Sequence, residues 1–200
     1  MLTTQENSEN SKGLLFIITG ASGVGKSTVY NAILDSMPNL HKSISMTTRT
    51  PRTGEIDGVD YYFIGLKKFE QLVANGQFLE YAKVHSNFYG TPKDLVLQNL
   101  MQNKHTVLEI DVYGAMQVKE QYLQAVWIFI TLPNMDELKQ RLKMRNLDSE
   151  ETINLRMLNA NDEFKKGQAA DYIVQNDNLC DCIEQVQLII ESEIKKRSQE

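Results

Sequence analysis

The sequence predicts an α/β protein with a mostly parallel sheet covered on both faces by helices. Apolar, β-branched runs typical of buried strands recur along the chain, and segments of helical periodicity stand between them. A glycine-rich loop joins the first such run to the first helix. With 200 residues, of which 42% are hydrophobic and 24% charged, the chain is long enough for one well-packed core with inserted lobes.

The N-terminal third begins with a polar tail and then enters the core. Residues 1–12 lack an apolar core, so we expect a frayed tail rather than a signal peptide. The run Leu14–Ile18 predicts the first strand, and Thr28–Ser36 predicts the helix that follows the loop. Farther on, Pro51 and Gly54 exclude a regular helix from a stretch rich in hydroxyl groups.

The interval that follows mixes short strands with one helix. Helical spacing of apolar residues runs from Leu66 to the stop at Asn75. The predicted strands are Asp60–Ile64, Phe78–Val84 and Asn87–Thr91. A parallel core does not require such a segment, so we interpret it as an insertion that carries specificity.

From Pro92 onward, helices and strands alternate again. The predicted elements are a helix at 93–103, a strand at 106–111, a helix at 112–122, a strand at 125–132, a pair of helices joined by a charged turn at 147–151, a strand at 171–174 and an amphipathic closing helix. Ligands of parallel sheets bind beyond the carboxyl ends of the strands. Asp111 lies at such an end, where its carboxylate could bind a water molecule of Mg²⁺ or accept a hydrogen bond from the substrate. The alternative is that Asp111 is an ordinary turn residue.

One loop matches the phosphate-binding P-loop pattern, Gly20-Ala21-Ser22-Gly23-Val24-Gly25-Lys26-Ser27, between a strand and a helix. Its glycines let successive backbone N–H groups curl around phosphate oxygens, and the helix directs its positive dipole end at the same anion. Lys26 can reach the β- and γ-phosphates, and Ser27 offers a hydroxyl to phosphate-bound Mg²⁺. The motif predicts triphosphate binding, because the preceding strand disfavours a chance glycine turn.

The net charge of the chain is −5, so any further bound anion has to be held by a local cluster of basic residues. This acidic balance argues against a broad nucleic-acid or membrane surface. Arg49 and Arg52 stand three apart on an irregular segment and can converge on one anion, although their spacing fits a solvated basic loop equally well. Arg141, Arg145 and Arg156 fall on the two helices flanking the charged turn, which suggests a mobile lid, while composition alone favours a solvated hairpin.

The two cysteines, Cys180 and Cys182, are two apart in a predicted helix, where their side chains point away from each other. This spacing argues against a disulfide, and two cysteines without other ligands do not make a zinc site. We interpret them as reduced thiols in a cytoplasmic protein.

Taken together, these segments resemble guanylate kinases from about Gly13 to about Glu193. The residues that carry the resemblance are the P-loop with Thr28, Ser43–Arg52 with Gly54-Glu55, Gly58–Phe63, Phe78–Glu80, Tyr89–Pro92, Ile110-Asp111, and Arg141–Arg145 with Ser149–Glu151. The run Thr47-Thr48-Arg49-Thr50-Pro51-Arg52-Thr53-Gly54-Glu55 is far more specific than the P-loop.

The resemblance implies a P-loop NTPase domain over 13–200, with a three-layer parallel core, an inserted GMP-binding lobe and a helical lid. The core would comprise 13–43, 92–135 and 166–200, the lobe 44–91 and the lid 136–165. The activity implied is ATP + GMP = ADP + GDP with Mg²⁺, so ATP and GMP are the expected partners. Neither nucleic acid nor a membrane is expected, and a homo-oligomer is left open.

The resemblance also implies a GMP site. Its expected members are Ser45, Arg49, Arg52, Tyr61, Glu80, Tyr89, Thr91 and Asp111. The arginines and tyrosines would grip the GMP phosphate, while Glu80 would accept hydrogen bonds from guanine N1–H and the exocyclic amine. Adenine lacks that donor pair, so a site built around the acid should reject AMP.

For ATP, the resemblance implies binding by Gly20, Ala21, Ser22, Gly23, Val24, Gly25, Lys26, Ser27, Thr28 and Asn176, the last against adenine. Lys26, Arg49, Arg141, Arg145 and Arg156 would be catalytic, and Ser27 and Asp111 would serve the metal. The chain departs from the family at Ala21, where proline is common, at Asn146, where glycine is usual, and at Gln175, in a segment that often reads Val-Asn-Asp.

Two other functions stay open from the residues. A guanylate-kinase-like binding module without catalysis is the first, but such modules typically lack the P-loop lysine and lid arginines that this chain retains. A kinase for another phosphorylated ribose compound is the second, and Glu80 with Ser45 argues instead for guanine.

Overall fold

The computed structural model describes residues 13–84, 86–144 and 150–199. The expected tail at 1–12, Arg145, Asn146 and most of the charged turn therefore lie outside the described residues. The strands are β1 (Leu15–Gly20), β2 (Leu40–Lys42), β3 (Met46–Thr47), β4 (Tyr62–Phe63), β5 (Phe78–Val84), β6 (Asn87–Pro92), β7 (His105–Glu109), β8 (Val126–Thr131) and β9 (Tyr172–Gln175). The helices are α1 (Lys26–Ser36), α2 (Leu66–Ala74), α3 (Lys93–Met101), α4 (Val112–Gln121), α5 (Met135–Met144), α6 (Glu150–Gly167) and α7 (Leu179–Arg197).

The predicted α/β class with a parallel sheet is confirmed. Strands β2 and β3 lie in the stretch that the local pattern left unassigned, because both form through pairing with distant strands: β2 with β7, and β3 with β6. The expectation that the strand before α4 runs to Asp111 was wrong. Strand β7 stops at Glu109, and the next carbonyl, of Ile110, accepts a hydrogen bond from Lys26 Nζ at 3.2 Å.

The chain forms two compact units. One, the P-loop unit, consists of Phe16–Pro38, Leu108–Val112 and the described residues within Val126–Glu200. Its strands run in the order β7-β1-β8-β9, with β7 contributing its last two residues, and the β1–β8 and β8–β9 pairings are parallel. Strand β1 is buried throughout, and Trp127 Nε1 donates to Thr19 Oγ1 at 2.7 Å inside this core.

The other, the lobe unit, consists of the described residues within Met1–Leu15, Asn39–Val107 and Tyr113–Ala125. Here β2 pairs in parallel with the start of β7, and a second sheet has the order β4-β3-β6-β5. The apolar face of α2 packs on that sheet: Phe69 lies with its ring centroid 4.6 Å from Phe78 and 5.5 Å from Phe88. None of the helices in the described part of the chain is long and apolar enough to cross a bilayer.

Candidate active site

The glycine loop leaves the end of β1 and delivers the chain into α1 at Lys26. Gly23 and Gly25 have φ angles of 99° and 92°, a region that favours glycine. At Gly25 a Cβ atom would lie 2.5 Å from Asn176 Nδ2, so a side chain here would displace the Asn176 amide as well as strain the backbone. The observed loop is thus the tight strand-to-helix turn that the motif predicts.

Two side chains from the C-terminal half of the chain, those of Asn176 and Arg141, donate hydrogen bonds to the Val24 carbonyl of this loop. Asn176, which is 3% exposed, donates from Nδ2 to the Val24 carbonyl at 2.7 Å. Arg141 Nη2 donates to the Asn176 carbonyl at 3.0 Å, and its Nη1 to the Val24 carbonyl at 3.4 Å. Arg141 therefore contacts the loop directly. The adenine contact expected of Asn176 stays a prediction.

Oxygen donors gather beside the loop's last residues. Ser27 Oγ donates a hydrogen bond to Glu109 Oε1, and Asp111 stands immediately before α4. Sequence reasoning missed Glu109, because within a strand it reads as an ordinary alternating polar residue. Its position at the carboxyl end of a parallel strand was the signal that could have identified it.

Helix α6 brings a further acid, Glu163, to the loop. Its carboxylate interacts with the Ser22 N–H, Lys26 and Asp111. Burial, together with repulsion from Asp111, raises the pKa of Glu163 above its ordinary value, while Lys26 and the Ser22 N–H lower it. Sequence reasoning missed Glu163, although it follows Arg156 by seven residues and so shares its helix face.

The donor set beside the loop fits a magnesium ion that arrives with a nucleotide. Among the described residues no group of three or more histidines, cysteines and acids could hold a metal. Mg²⁺ is usually bound by one or two protein oxygens plus phosphates and waters rather than by an all-protein cage. The hydroxyl of Ser27 and the carboxylates of Glu109 and Asp111 are hard oxygen donors of this kind.

In the lobe unit, Arg49 forms a bidentate ion pair with Glu55. The two N···O distances are 2.9 and 2.8 Å, and Glu55 also accepts from the Arg52 backbone N–H at 2.7 Å. The Arg49 side chain and then that backbone N–H lower the pKa of Glu55 to about 2, and Glu55 raises the pKa of Arg49. The pair fixes the guanidinium plane and keeps it charged.

Aromatic rings surround that guanidinium. Its central carbon lies 5.6 Å from the ring centroid of Tyr61 and 5.7 Å from that of Phe63, and Tyr89 interacts with Arg49. The Tyr61 and Tyr89 rings are 5.8 Å apart, edge to face. Arg49, Tyr61 and Tyr89 thus come together as one cationic, hydroxyl-bearing cluster, while the Arg52 side chain is exposed beside it.

A buried carboxylate lies on the second sheet of the same unit. Glu80 of β5 is 6% exposed and faces Thr91 of β6 in the strand register. Thr91 Oγ1 donates to Glu80 Oε1 at 2.5 Å. Ser45 is half-buried immediately before β3, where its carbonyl accepts from the Tyr62 N–H at 2.9 Å.

The remaining expected residues are placed as follows. Arg156 is half-buried on α6, and its proposed role in a lid stays a prediction. Arg145 lies outside the described residues. Cys180 and Cys182 are both free thiols, and Asn178 caps α7 by accepting from the Cys180 N–H at 2.8 Å.

Sequence comparisons with known proteins identify the family of this chain. The model of the family described as guanylate kinase matches residues 12–193. The guanylate kinase of Latilactobacillus sakei is 46% identical over 92% of this chain and 91% of its own length, and that of Rickettsia bellii is 46% identical over 94% and 98%.

Structural comparison gives the same result. A crystal structure of guanylate kinase from Anaplasma phagocytophilum has a TM-score of 0.72 and 32% identity, covering 92% of this chain and 87% of that one. The match extends over nearly all of both proteins. The chain therefore belongs to the guanylate kinase family.

Proposed function

We propose that this chain uses Mg²⁺ with ATP and divides the binding of its two substrates between its two units. The reaction, ATP + GMP = ADP + GDP, follows from membership of the guanylate kinase family. The P-loop unit would bind ATP, and the lobe unit would bind GMP. The observation that carries the choice of guanine is the buried Glu80 carboxylate with its bound Thr91 hydroxyl.

On the GMP side, the phosphate would bind at the cluster of Arg49, Tyr61 and Tyr89, with Arg52 adding charge from the adjoining loop. Glu80 would accept from guanine N1–H and the exocyclic amine. Adenine does not present these two donors to the carboxylate, and leaving a buried carboxylate without them is strongly disfavoured. AMP should therefore be a poor substrate. Thr91 would orient the carboxylate, and Ser45 would add a hydroxyl to the guanine edge.

On the ATP side, the backbone N–H groups of the glycine loop and the N-terminus of α1 would hold the phosphates. Lys26, Arg141, Arg145 and Arg156 would stabilise charge on the transferring phosphoryl group. Asn176 and Arg141 support this role by fixing the Val24 carbonyl, which keeps the loop in shape. Ser27 and Asp111 would hold Mg²⁺, which neutralises phosphate charge when bound.

Phosphoryl transfer asks for alignment and charge stabilisation rather than covalent chemistry by the protein. No general base is needed, because the GMP phosphate is already an anion. Arg49 would instead keep that anion in line for attack on the γ-phosphate.

We further propose that 44–91 acts as the GMP-binding lobe and that 136–165 acts as the lid. We also propose that the protein works in the cytoplasm, where both of its thiols would stay reduced.

The test is ADP release from ATP and Mg²⁺ with GMP, AMP, CMP or UMP supplied separately, and with no acceptor as the control for ATP hydrolysis. We expect rapid turnover with GMP and little with the other three. No turnover with any acceptor, alongside measurable GMP binding, would identify a non-catalytic binding module. Preference for another acceptor would refute the guanine assignment.

A further inference from the structure

Strand β5 carries one extra residue next to the candidate guanine ligand. In the pairing with β6, Phe78 lies opposite Pro92 and Glu80 lies opposite Thr91, so Leu79 is an inserted residue that has no partner of its own. Such bulges change the direction of the neighbouring side chains and are frequent beside active sites. Without it, the alternation of the strand would bring a different side chain opposite Thr91.

Strand β5 is also an edge strand of its sheet, so no strand in the described part of the chain pairs with one row of its backbone groups. Helix α4 supplies partners for that row from two glutamines. Gln117 forms a reciprocal pair with Tyr81: its Oε1 accepts from the Tyr81 N–H, and its Nε2 donates to the Tyr81 carbonyl, both at 3.2 Å. This carboxamide therefore replaces the peptide group of an absent neighbouring strand.

Gln121 serves the bulge itself. Its Nε2 donates to the Leu79 carbonyl at 2.7 Å and lies 3.4 Å from the Phe78 carbonyl. The Nζ atom of Lys93 donates to Gln121 Oε1 at 3.4 Å, which fixes the amide with its nitrogen toward the strand. Because Gln117 and Gln121 are four residues apart, both lie on one face of α4.

The two glutamines thus hold the residues immediately before and after Glu80. Displacement of a binding group by about 1 Å can cost roughly 100-fold in an aligned site, so the backbone position of this residue matters for recognition. We propose that Gln117 and Gln121 are positioning residues that set the Glu80 carboxylate for guanine. This inference rests on the proposed function, in which Glu80 reads the guanine edge.

The test replaces each glutamine by methionine, singly and together, since methionine keeps the chain length but removes both hydrogen-bonding groups. Glu120→Met is the matched control, because Glu120 is exposed on the same helix between the two glutamines. We would measure KM for GMP, KM for ATP, kcat, and the affinity for GMP relative to IMP, which lacks the exocyclic amine. The last ratio reports on the carboxylate and does not respond to a general loss of stability.

The double variant should raise KM for GMP by about 5- to 30-fold and reduce the GMP-to-IMP preference, with KM for ATP within about twofold of wild type. Each single variant should show part of this effect, and they carry the comparison if the double variant does not fold. An unchanged KM for GMP, or an unchanged GMP-to-IMP ratio despite weaker binding, would overturn the proposal. If Glu80→Gln also leaves GMP affinity unchanged, the guanine assignment itself fails, whereas a GMP defect in that variant alone removes only the role of the glutamines.

Discussion

Thr91 Oγ1 donates a hydrogen bond of 2.5 Å to Glu80 Oε1 across the β5–β6 pair, and both side chains are buried. The resemblance assigns each residue separately to guanine. The structure shows that they also bind each other, so one helps to set the position of the other. A short hydrogen bond to a carboxylate is the strong, charge-assisted kind.

Thr91→Val should therefore damage both stability and recognition. Valine keeps the shape but removes the donor, and the loss of a hydrogen bond to a buried acceptor costs about 1–3 kcal/mol. KM for GMP should rise while KM for ATP stays unchanged. Thr106→Val is the matched control, since Thr106 is equally buried but makes only a 3.4 Å contact with the Lys104 carbonyl. Equal effects on the two substrates would argue against a role for Thr91 at guanine.

Lys26→Ala should separate catalysis from acceptor binding. Lys26 belongs to the P-loop unit, where its Nζ donates to the Ile110 carbonyl. Loss of one charge-stabilising donor costs roughly 100- to 1000-fold in turnover. GMP affinity measured by titration calorimetry should change by less than about twofold. A comparable loss of turnover and GMP affinity would contradict the assignment of the two substrates to different units.

Asn176→Ala should weaken ATP binding by releasing the loop. The Val24 carbonyl would lose its 2.7 Å donor, and KM for ATP should rise with KM for GMP unchanged. Asn178→Ala is the control, because it removes the cap of α7 at a similar cost of about 1 kcal/mol without touching the loop. If the two variants shift KM for ATP equally, Asn176 has no specific role at the loop.

Acid should destabilise the lobe unit through His105. Its Nδ1 accepts from the Leu14 N–H at 3.0 Å, and burial, followed by the effect of His41, lowers its pKa below 6.5. The unfolded chain then takes up this proton at a higher pH than the folded chain does. The stability that neutral His105 provides is therefore complete above about pH 6.5 and is lost as the pH falls toward its folded pKa.

The measurement is the melting temperature at pH 7.5 and pH 5.5 for wild type and His105→Gln. Glutamine can accept from the same N–H without titrating, so its decrease in Tm should be smaller. His41→Gln removes only the charge effect of His41 on the pKa of His105 and leaves its burial. Its decrease in Tm should therefore lie between those of wild type and His105→Gln. Identical decreases in wild type and His105→Gln would show that other groups account for the acid sensitivity.

Local signals sufficed for most of the fold. Strand and helix periodicity with glycine and proline stops predicted most elements, including the aromatic strand near Tyr62 and the helix that begins at Leu66. The P-loop pattern also determined the course of the chain from Gly20 to Lys26. Strands β2 and β3 were not predicted, because they depend on partners far along the chain rather than on their own two or three residues.

Some residues of the candidate site could likewise be predicted from the sequence, whereas others could not. Residue types and the resemblance indicated Arg49, Glu80 and Lys26. They did not indicate Glu163 or Gln117, because a polar residue on a helix face reads as solvated until the helix is placed against its neighbour. Such contacts depend on tertiary packing, and a periodic pattern contains no information about which backbone group lies opposite.

We propose that Glu80, the buried acid of the lobe unit, selects guanine independently of the ATP site. The most direct measurement is kcat/KM for GMP in Glu80→Gln, with KM for ATP determined in the same preparation. The amide presents a donor to the guanine donors, so we expect a loss of about 10- to 100-fold for GMP with ATP unaffected. An unchanged kcat/KM for GMP would show that Glu80 does not select guanine.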